Sequence, residues 1–313
     1  MGKLYKSLLI FFIPLVAWII GLVIVDPFGY FNNKLVKSKT KDYIAYNENF
    51  ILYDIIQYKK KPTPYILLGD SKMANLDTAV INKFTNKQFF NFGYGYGSLE
   101  EMIKSFWYLE NMHSLKEVYI GINFPTYSAT SNRDRVTEAI DLSENKLSYI
   151  LSSYVNTATA LYYKSLVSST DSSKEVGFIK PTVSKEAFWN QTLVNGDKLY
   201  KSYIYPTEYK KELKRMSEYC TANKVRLVFI IPPTHTELQE KVQKFKLDEM
   251  NSLFKKEITQ FGDVYDFDYP NNLTANKNNF NDPFHSNDSI TNLLIEDVFT
   301  DARKYCVFHS KEQ

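Results

Sequence analysis

Cysteine and histidine are scarce in this chain, and the scarcity removes whole classes of chemistry. Two cysteines, Cys220 and Cys306, stand among 313 residues with no CxxC spacing, which excludes a thiolate zinc site and a disulfide framework and leaves them as core thiols. There is no HExxH helix, no dinucleotide fingerprint and no phosphate-cradling glycine loop. The run Gly93-Tyr94-Gly95-Tyr96-Gly97 lacks the following helix signature that a nucleotide site needs, so no metal and no cofactor are expected. A basic block is missing too: 38 Lys and Arg face 35 Asp and Glu, spread along the whole length for a net charge of +3, which argues against a nucleic-acid partner. No internal repeat is present.

Long hydrophobic runs are confined to one place. Leu8 to Val25 carries no charge and has about the length a helix needs to cross the hydrocarbon layer of a bilayer. Val23, Ile24, Val25 and Asp26 offer no small residues for a signal-peptide cleavage site. Residues 1–26 are therefore expected to form an uncleaved signal-anchor, a single transmembrane helix. Lys3 and Lys6 precede it and Lys34, Lys37, Lys39 and Lys41 follow it, a balance that on charge alone favours the opposite orientation. The very short basic leader nevertheless places the body outside the cytoplasm, since long domains translocate largely regardless of charge. Residues 27–62, polar and lysine-rich, read as a stalk.

The body, residues 63–313, alternates strand and helix. Tyr65–Leu68, Gln88–Phe92, Glu117–Ile122, Val225–Ile231 and Asp263–Asp266 read as short buried strands. Leu99–Asn111, Glu208–Asn223 and Glu237–Phe261 have helical spacing. That alternation predicts an α/β fold, a three-layer α/β/α arrangement around a mainly parallel sheet. From about 130 to 202 the pattern weakens into a Ser-, Thr-, Tyr- and Lys-rich stretch, an expected insertion.

In parallel sheets functional groups collect at the carboxyl ends of the strands. Here those ends deliver Asp70-Ser71, Gly93 to Gly97 and Asn123, and a late loop holds Asp282-Pro283-Phe284-His285. A serine hydroxyl needs an imidazole to take its proton and a carboxylate to orient that imidazole. Ser71, His285 and Asp282 supply the set. The Ser71 N–H, a glycine N–H such as Gly95 and the Asn123 amide supply donors for a developing oxyanion. His235 also follows a strand, but no acid lies three residues before it, so it ranks second as base and is expected at the rim of the cleft. Asn75 and Arg133 are further candidates for substrate contact, while His113 and His309 read as surface residues.

These blocks resemble the SGNH (GDSL-like) hydrolase family. Gly69-Asp70-Ser71, the glycine block, Gly121-Ile122-Asn123 and Asp282-Pro283-Phe284-His285 occur in the family's order. The chain departs from the family pattern at Lys72 and Phe124. The resemblance implies an SGNH/flavodoxin-like fold with Ser71 as nucleophile, His285 as base and Asp282 as its orienting acid, and with Ser71, Gly95 and Asn123 around the oxyanion. Together with the anchor and the Pro232-Pro233-Thr234-His235 segment, it implies a membrane-anchored envelope enzyme. Such an enzyme is a serine esterase or O-acyltransferase that removes or transfers small acyl groups, acetyl foremost, on acylated carbohydrate or another cell-envelope polymer. Some similar proteins work beside a multi-pass membrane O-acyltransferase. The competing readings are a non-catalytic envelope scaffold that keeps the fold and a lipid-directed lipase or thioesterase.

Overall fold

The computed structural model describes residues 2–131, 133–167 and 184–311, with side chains from Phe11 onward. In chain order the first helices are α1 (Gly2–Val25), α2 (Lys39–Glu48), α3 (Phe50–Lys60), α4 (Ser71–Ala74), α5 (Thr78–Thr85), α6 (Leu99–Met112) and α7 (Val136–Glu144). There follow α8 (Lys146–Leu151), α9 (Ser153–Val167), α10 (Lys185–Lys201), α11 (Glu208–Ala222), α12 (Thr236–Lys244), α13 (Asp248–Ile258) and α14 (Asp288–Phe299). The strands are β1 (Tyr65–Gly69), β2 (Phe89–Gly93), β3 (Glu117–Gly121), β4 (Arg226–Ile231), β5 (Asp263–Asp266), β6 (Phe280–Asp282), β7 (His285–Ser286) and β8 (Val307–His309). They fall into two units: Met1–Lys61 with Arg135–Ile179, and Pro62–Asp134 with Lys180–Gln313.

The second unit is an α/β fold. Its six-stranded sheet runs β2-β1-β3-β4-β5-β8, parallel except for β8. In β1, Ile66, Leu67 and Leu68 are all fully buried, a continuous apolar run that only a sheet covered on both faces can use. Leu67, Tyr119, Val228 and Tyr265 share one face with Ile81 of α5 and Leu294, Ile295 and Val298 of α14. By the alternation of a strand, Ile66 and Leu68 point to the other face, where α6 and α11 lie against β1 and β4. Each large aliphatic side chain so buried contributes about 1.5–3 kcal/mol.

Four features differ from the reading above. The helix expected over Glu237–Phe261 is two, α12 and α13, because the chain turns at Phe245–Leu247 with Lys246 at φ 56°. The last strand, β8, runs antiparallel at the edge and carries exposed Val307 and His309, so it offers no buried apolar run to read. The stretch 27–62, expected as a polar stalk, carries α2 and α3, whose Ile51, Leu52, Ile55, Ile56 and Tyr58 are buried. The insertion is divided: residues 135–167 join the first unit as α7, α8 and α9, and α10 belongs to the second. Residues 168–183 of the insertion lie outside the described residues.

The first unit is helical. α2 packs on α9 and on α3, α3 on α7, and α1 on α9. The end of α1 is held by protein: Leu22 and Val25 are buried, the Trp18 indole donates to Asn156 Oδ1 at 2.6 Å, and the Tyr163 hydroxyl donates to the Gly21 carbonyl at 3.1 Å. Further along α1, Phe11, Ile13, Leu15, Val16 and Ile20 are exposed. Among the described residues no helix is long and apolar enough to cross a membrane. Leu8, Leu9 and Ile10 of the expected span lie outside the residues whose side chains are described.

Candidate active site

Strand β1 ends at Gly69 and the chain turns at once into the single-turn helix α4, with Asp70 as its cap and Ser71 as its first residue. Close packing makes that turn possible. A Cβ on Gly93, at the end of β2, would collide with the backbone of Ala74, and one on Gly121, at the end of β3, with the Met73 side chain. The glycines that close these strands are therefore spaces into which α4 docks. Asn91 secures it from below: its Nδ2 donates to the Met73 and Leu76 carbonyls at 2.8 and 3.2 Å, and its Oδ1 accepts from Gly93 N–H at 2.8 Å.

Ser71 Oγ lies 2.7 Å from His285 Nε2, and His285 Nδ1 lies 2.8 Å from Asp282 Oδ2. The expected late loop is a two-stranded hairpin, β6–β7, in which Asp282 pairs with His285 across Pro283-Phe284. Asp282 builds the turn as well as serving the ring, because its Oδ1 accepts from Phe284 N–H at 2.8 Å and His285 N–H at 3.2 Å. A carboxylate on Nδ1 sets the tautomer with the proton there, leaving Nε2 as acceptor for the Ser71 hydroxyl proton. The carboxylate is 5 % exposed, so its partners are protein rather than water.

The donors expected around an oxyanion differ in which partners they already have. Gly93 N–H is committed to Asn91, and Gly97 N–H to the Tyr94 carbonyl at 2.9 Å. Gly95 is the glycine of the block whose N–H has no acceptor among the described residues. The loop is tied to the end of β1 by Tyr94 N–H donating to the Gly69 carbonyl at 2.8 Å. Asn123, 2 % exposed, donates one amide hydrogen to Asp70 Oδ2 at 2.8 Å, and its Oδ1 accepts from Thr126 N–H. The second hydrogen of its Nδ2 is left over.

An ion pair flanking Ser71 is not among the residues read from the sequence. Lys72 Nζ lies 2.6 Å from Asp70 Oδ2, both side chains nearly buried, while Asp70 Oδ1 accepts Lys72 N–H at 2.9 Å. Burial alone raises the Asp70 pKa, but the charge and hydrogen bonds of Lys72 outweigh it and hold the carboxyl below its ordinary value. The signal was visible as the departure at Lys72. A small cavity of about 10 Å³, the room of about one water molecule, is lined by Lys72, Asn75, Pro232, Pro233 and His285.

Other candidates sit elsewhere. His235 is not at a rim: it is 3 % exposed and caps α12, its Nδ1 accepting Glu237 N–H at 3.2 Å. Its ring stands edge-on to Trp189 and Phe280, and the backbone N–H of His235 donates to the Pro283 carbonyl at 2.9 Å, which props the hairpin. Burial pushes its pKa down. Arg133 enters through its carbonyl, which accepts from Ser98 Oγ at 2.7 Å. Cys220 is buried and Cys306 half-buried, both with thiols pushed up by burial to about 12.

No family model matches the chain, and no curated protein does. Among solved structures, one described as a lipolytic protein of the G-D-S-L family from Desulfitobacterium hafniense DCB-2 is similar at 14% identity. It aligns over 65% of this chain and 76% of its own, with a TM-score of 0.29. Another, described as an acylhydrolase from Bacteroides fragilis NCTC 9343, is similar at 11% identity over 82% of this chain and 98% of its own, with a TM-score of 0.37.

Proposed function

We propose that this chain is a serine acyl hydrolase or acyltransferase of SGNH type, with Ser71 as nucleophile, His285 as general base and Asp282 as the acid that orients it. The observation that carries the reading is the unbroken relay from Ser71 Oγ through His285 to Asp282, at 2.7 and 2.8 Å. Ser71 Oγ attacks the acyl carbonyl while its proton passes to His285 Nε2, and Asp282 stabilises the imidazolium. The oxyanion is received by the N–H groups of Ser71 and Gly95 and the spare Asn123 hydrogen. Collapse expels the alcohol oxygen, which takes the proton back from Nε2, and leaves an acyl-serine. Water completes hydrolysis; a sugar hydroxyl completes transfer.

The substrate we propose is a small acyl ester, acetyl foremost, on an extracytoplasmic carbohydrate such as an envelope polymer. Tyr96 supports it. Beside Gly95, this side chain is 88 % exposed and its backbone sits at φ 55°, a conformation that strains a bulky residue. Its flat face and polar tip suit a sugar ring. The exposed apolar side chains of α1 support a membrane anchor, since water solvates such a row poorly. A multi-pass O-acyltransferase is the partner we propose for the transfer reaction.

The test is acetyl-ester cleavage and fluorophosphonate labelling of the full chain in mild detergent, for the wild type beside Ser71→Ala and His285→Ala. Loss of cleavage in both variants and of labelling in Ser71→Ala is expected. Equal behaviour of all three leaves a scaffold as the remaining reading.

A further inference from the structure

The first unit holds a cavity of about 470 Å³, within the ~300–1,000 Å³ range of small-molecule sites. Its walls are the turn after α1, the start of α2 and the end of α3. Five of its lining residues are lysines, Lys34, Lys37, Lys39, Lys41 and Lys60, against one acid, Asp42. Among the described residues none of the five ammonium groups forms an ion pair with a carboxylate. The walls are fixed by hydrogen bonds: Asn33 Nδ2 donates to the Val23 carbonyl at 2.5 Å, Gln57 Nε2 to the Phe28 carbonyl at 3.0 Å, and Lys41 Nζ to the Val36 carbonyl at 2.9 Å. Partial burial first, and then Lys41, hold Lys60 below the ordinary lysine value against the pull of Asp26 and Asp42. Five lysines against one lining carboxylate leave the concavity with an excess of positive charge that draws anions.

We infer that this pocket binds a phosphate-bearing ligand. A phosphate presents several charged oxygens to several lysines at once, each lysine acting as a point charge. A singly charged carboxylate answers fewer of them. The same phosphate chemistry occurs in a free sugar or glycerol phosphate and in the headgroup of an anionic lipid. The pocket is independent of the Ser71 reading, because none of its residues takes part in that reaction.

The experiment uses the full chain in uncharged detergent. Binding of glycerol 1-phosphate is measured by calorimetry, with glycerate as the carboxylate control, and binding of phosphatidylglycerol by titration into mixed micelles against phosphatidylcholine. The variant is Lys34→Gln/Lys37→Gln/Lys39→Gln, three exposed side chains whose neutralisation leaves the fold intact, checked by circular dichroism. At about 1 kcal/mol, or about fivefold, per lysine, the variant binds roughly a hundredfold more weakly. Glycerol phosphate binding that is lost in the variant identifies a soluble phosphate ligand. Binding of phosphatidylglycerol alone, lost in the same way, identifies a lipid headgroup. Equal affinity for glycerate, no saturable binding of either phosphate probe, or unchanged affinity in the variant overturns the proposal. Ester cleavage by the triple variant stays at the wild-type rate, which separates this result from that of the serine site.

Discussion

Replacing Lys72 by methionine removes the cation paired with Asp70 while keeping most of the side chain's volume. Asp70 then stays buried, with the Lys72 N–H and the Asn123 amide as its remaining donors. Breaking a buried pair by removing one partner costs about 3–5 kcal/mol; two surviving hydrogen bonds place this case near the lower end, about 3 kcal/mol. The pH dependence follows from the charge on Asp70. In the wild type its pKa is lowered, so its contribution is present at neutral pH and is lost as pH falls through the folded-state value. In Lys72→Met, burial acts without the cation, so the folded-state pKa rises and acid relieves the penalty by protonating Asp70. The stability gap between the two proteins therefore narrows on going from pH 7 towards pH 4. Urea unfolding of the full chain in detergent at several pH values measures it, with Asp70→Asn/Lys72→Met as the control that removes the stranded charge and recovers most of the loss. A gap below about 1 kcal/mol, or one that is constant with pH, refutes the reasoning.

Asp282→Asn keeps the hairpin's shape but loses the charge that fixes the His285 tautomer, and ester turnover falls about 10⁴-fold, read as kcat at saturating substrate. Gly93→Ala forces a Cβ against the Ala74 backbone and displaces α4. It costs about 1–3 kcal/mol of stability and abolishes serine labelling, both measured on the purified variant. Tyr96→Ala raises KM for an acetylated oligosaccharide and leaves kcat/KM for p-nitrophenyl acetate unchanged; an equal loss on both substrates contradicts a sugar-stacking role. His235→Gln keeps labelling of Ser71 but lowers the melting temperature, because it loses the imidazole cap on α12 and the ring contacts with Trp189 and Phe280.

The strands were legible because β1, β3 and β4 are buried on both faces and so spell continuous apolar runs. Their ends carried the candidate site, since Asp70-Ser71 follows β1 at once and Asn123 lies two residues beyond the end of β3. Elements that owe their form to tertiary contacts were not legible. Residues 39–60 look like a polar stalk because their buried residues, Ile51, Leu52, Ile55 and Ile56, are interleaved with lysines and tyrosines, and their partners α7 and α9 lie far along the chain. The choice among Gly93, Gly95 and Gly97 depends on which N–H groups are already taken, a matter of coordinates. His235 looked like a competitor for the same reason: a histidine after a strand reads alike whether it faces a cleft or caps a helix.

The hairpin that unites Asp282 with His285 also fixes when the proposed relay can form. Acid and base are three residues apart and assemble locally, but they are made late, 214 residues after Ser71. During synthesis Ser71 emerges early, before the strands β2 and β3 whose Gly93 and Gly121 seat its turn. The hairpin packs on α10 and on α14, and α14 follows it in the chain. On the proposed roles, a nascent or truncated chain carries Ser71 without its proposed base, and the Ser71–His285–Asp282 relay closes only when the late hairpin is in place.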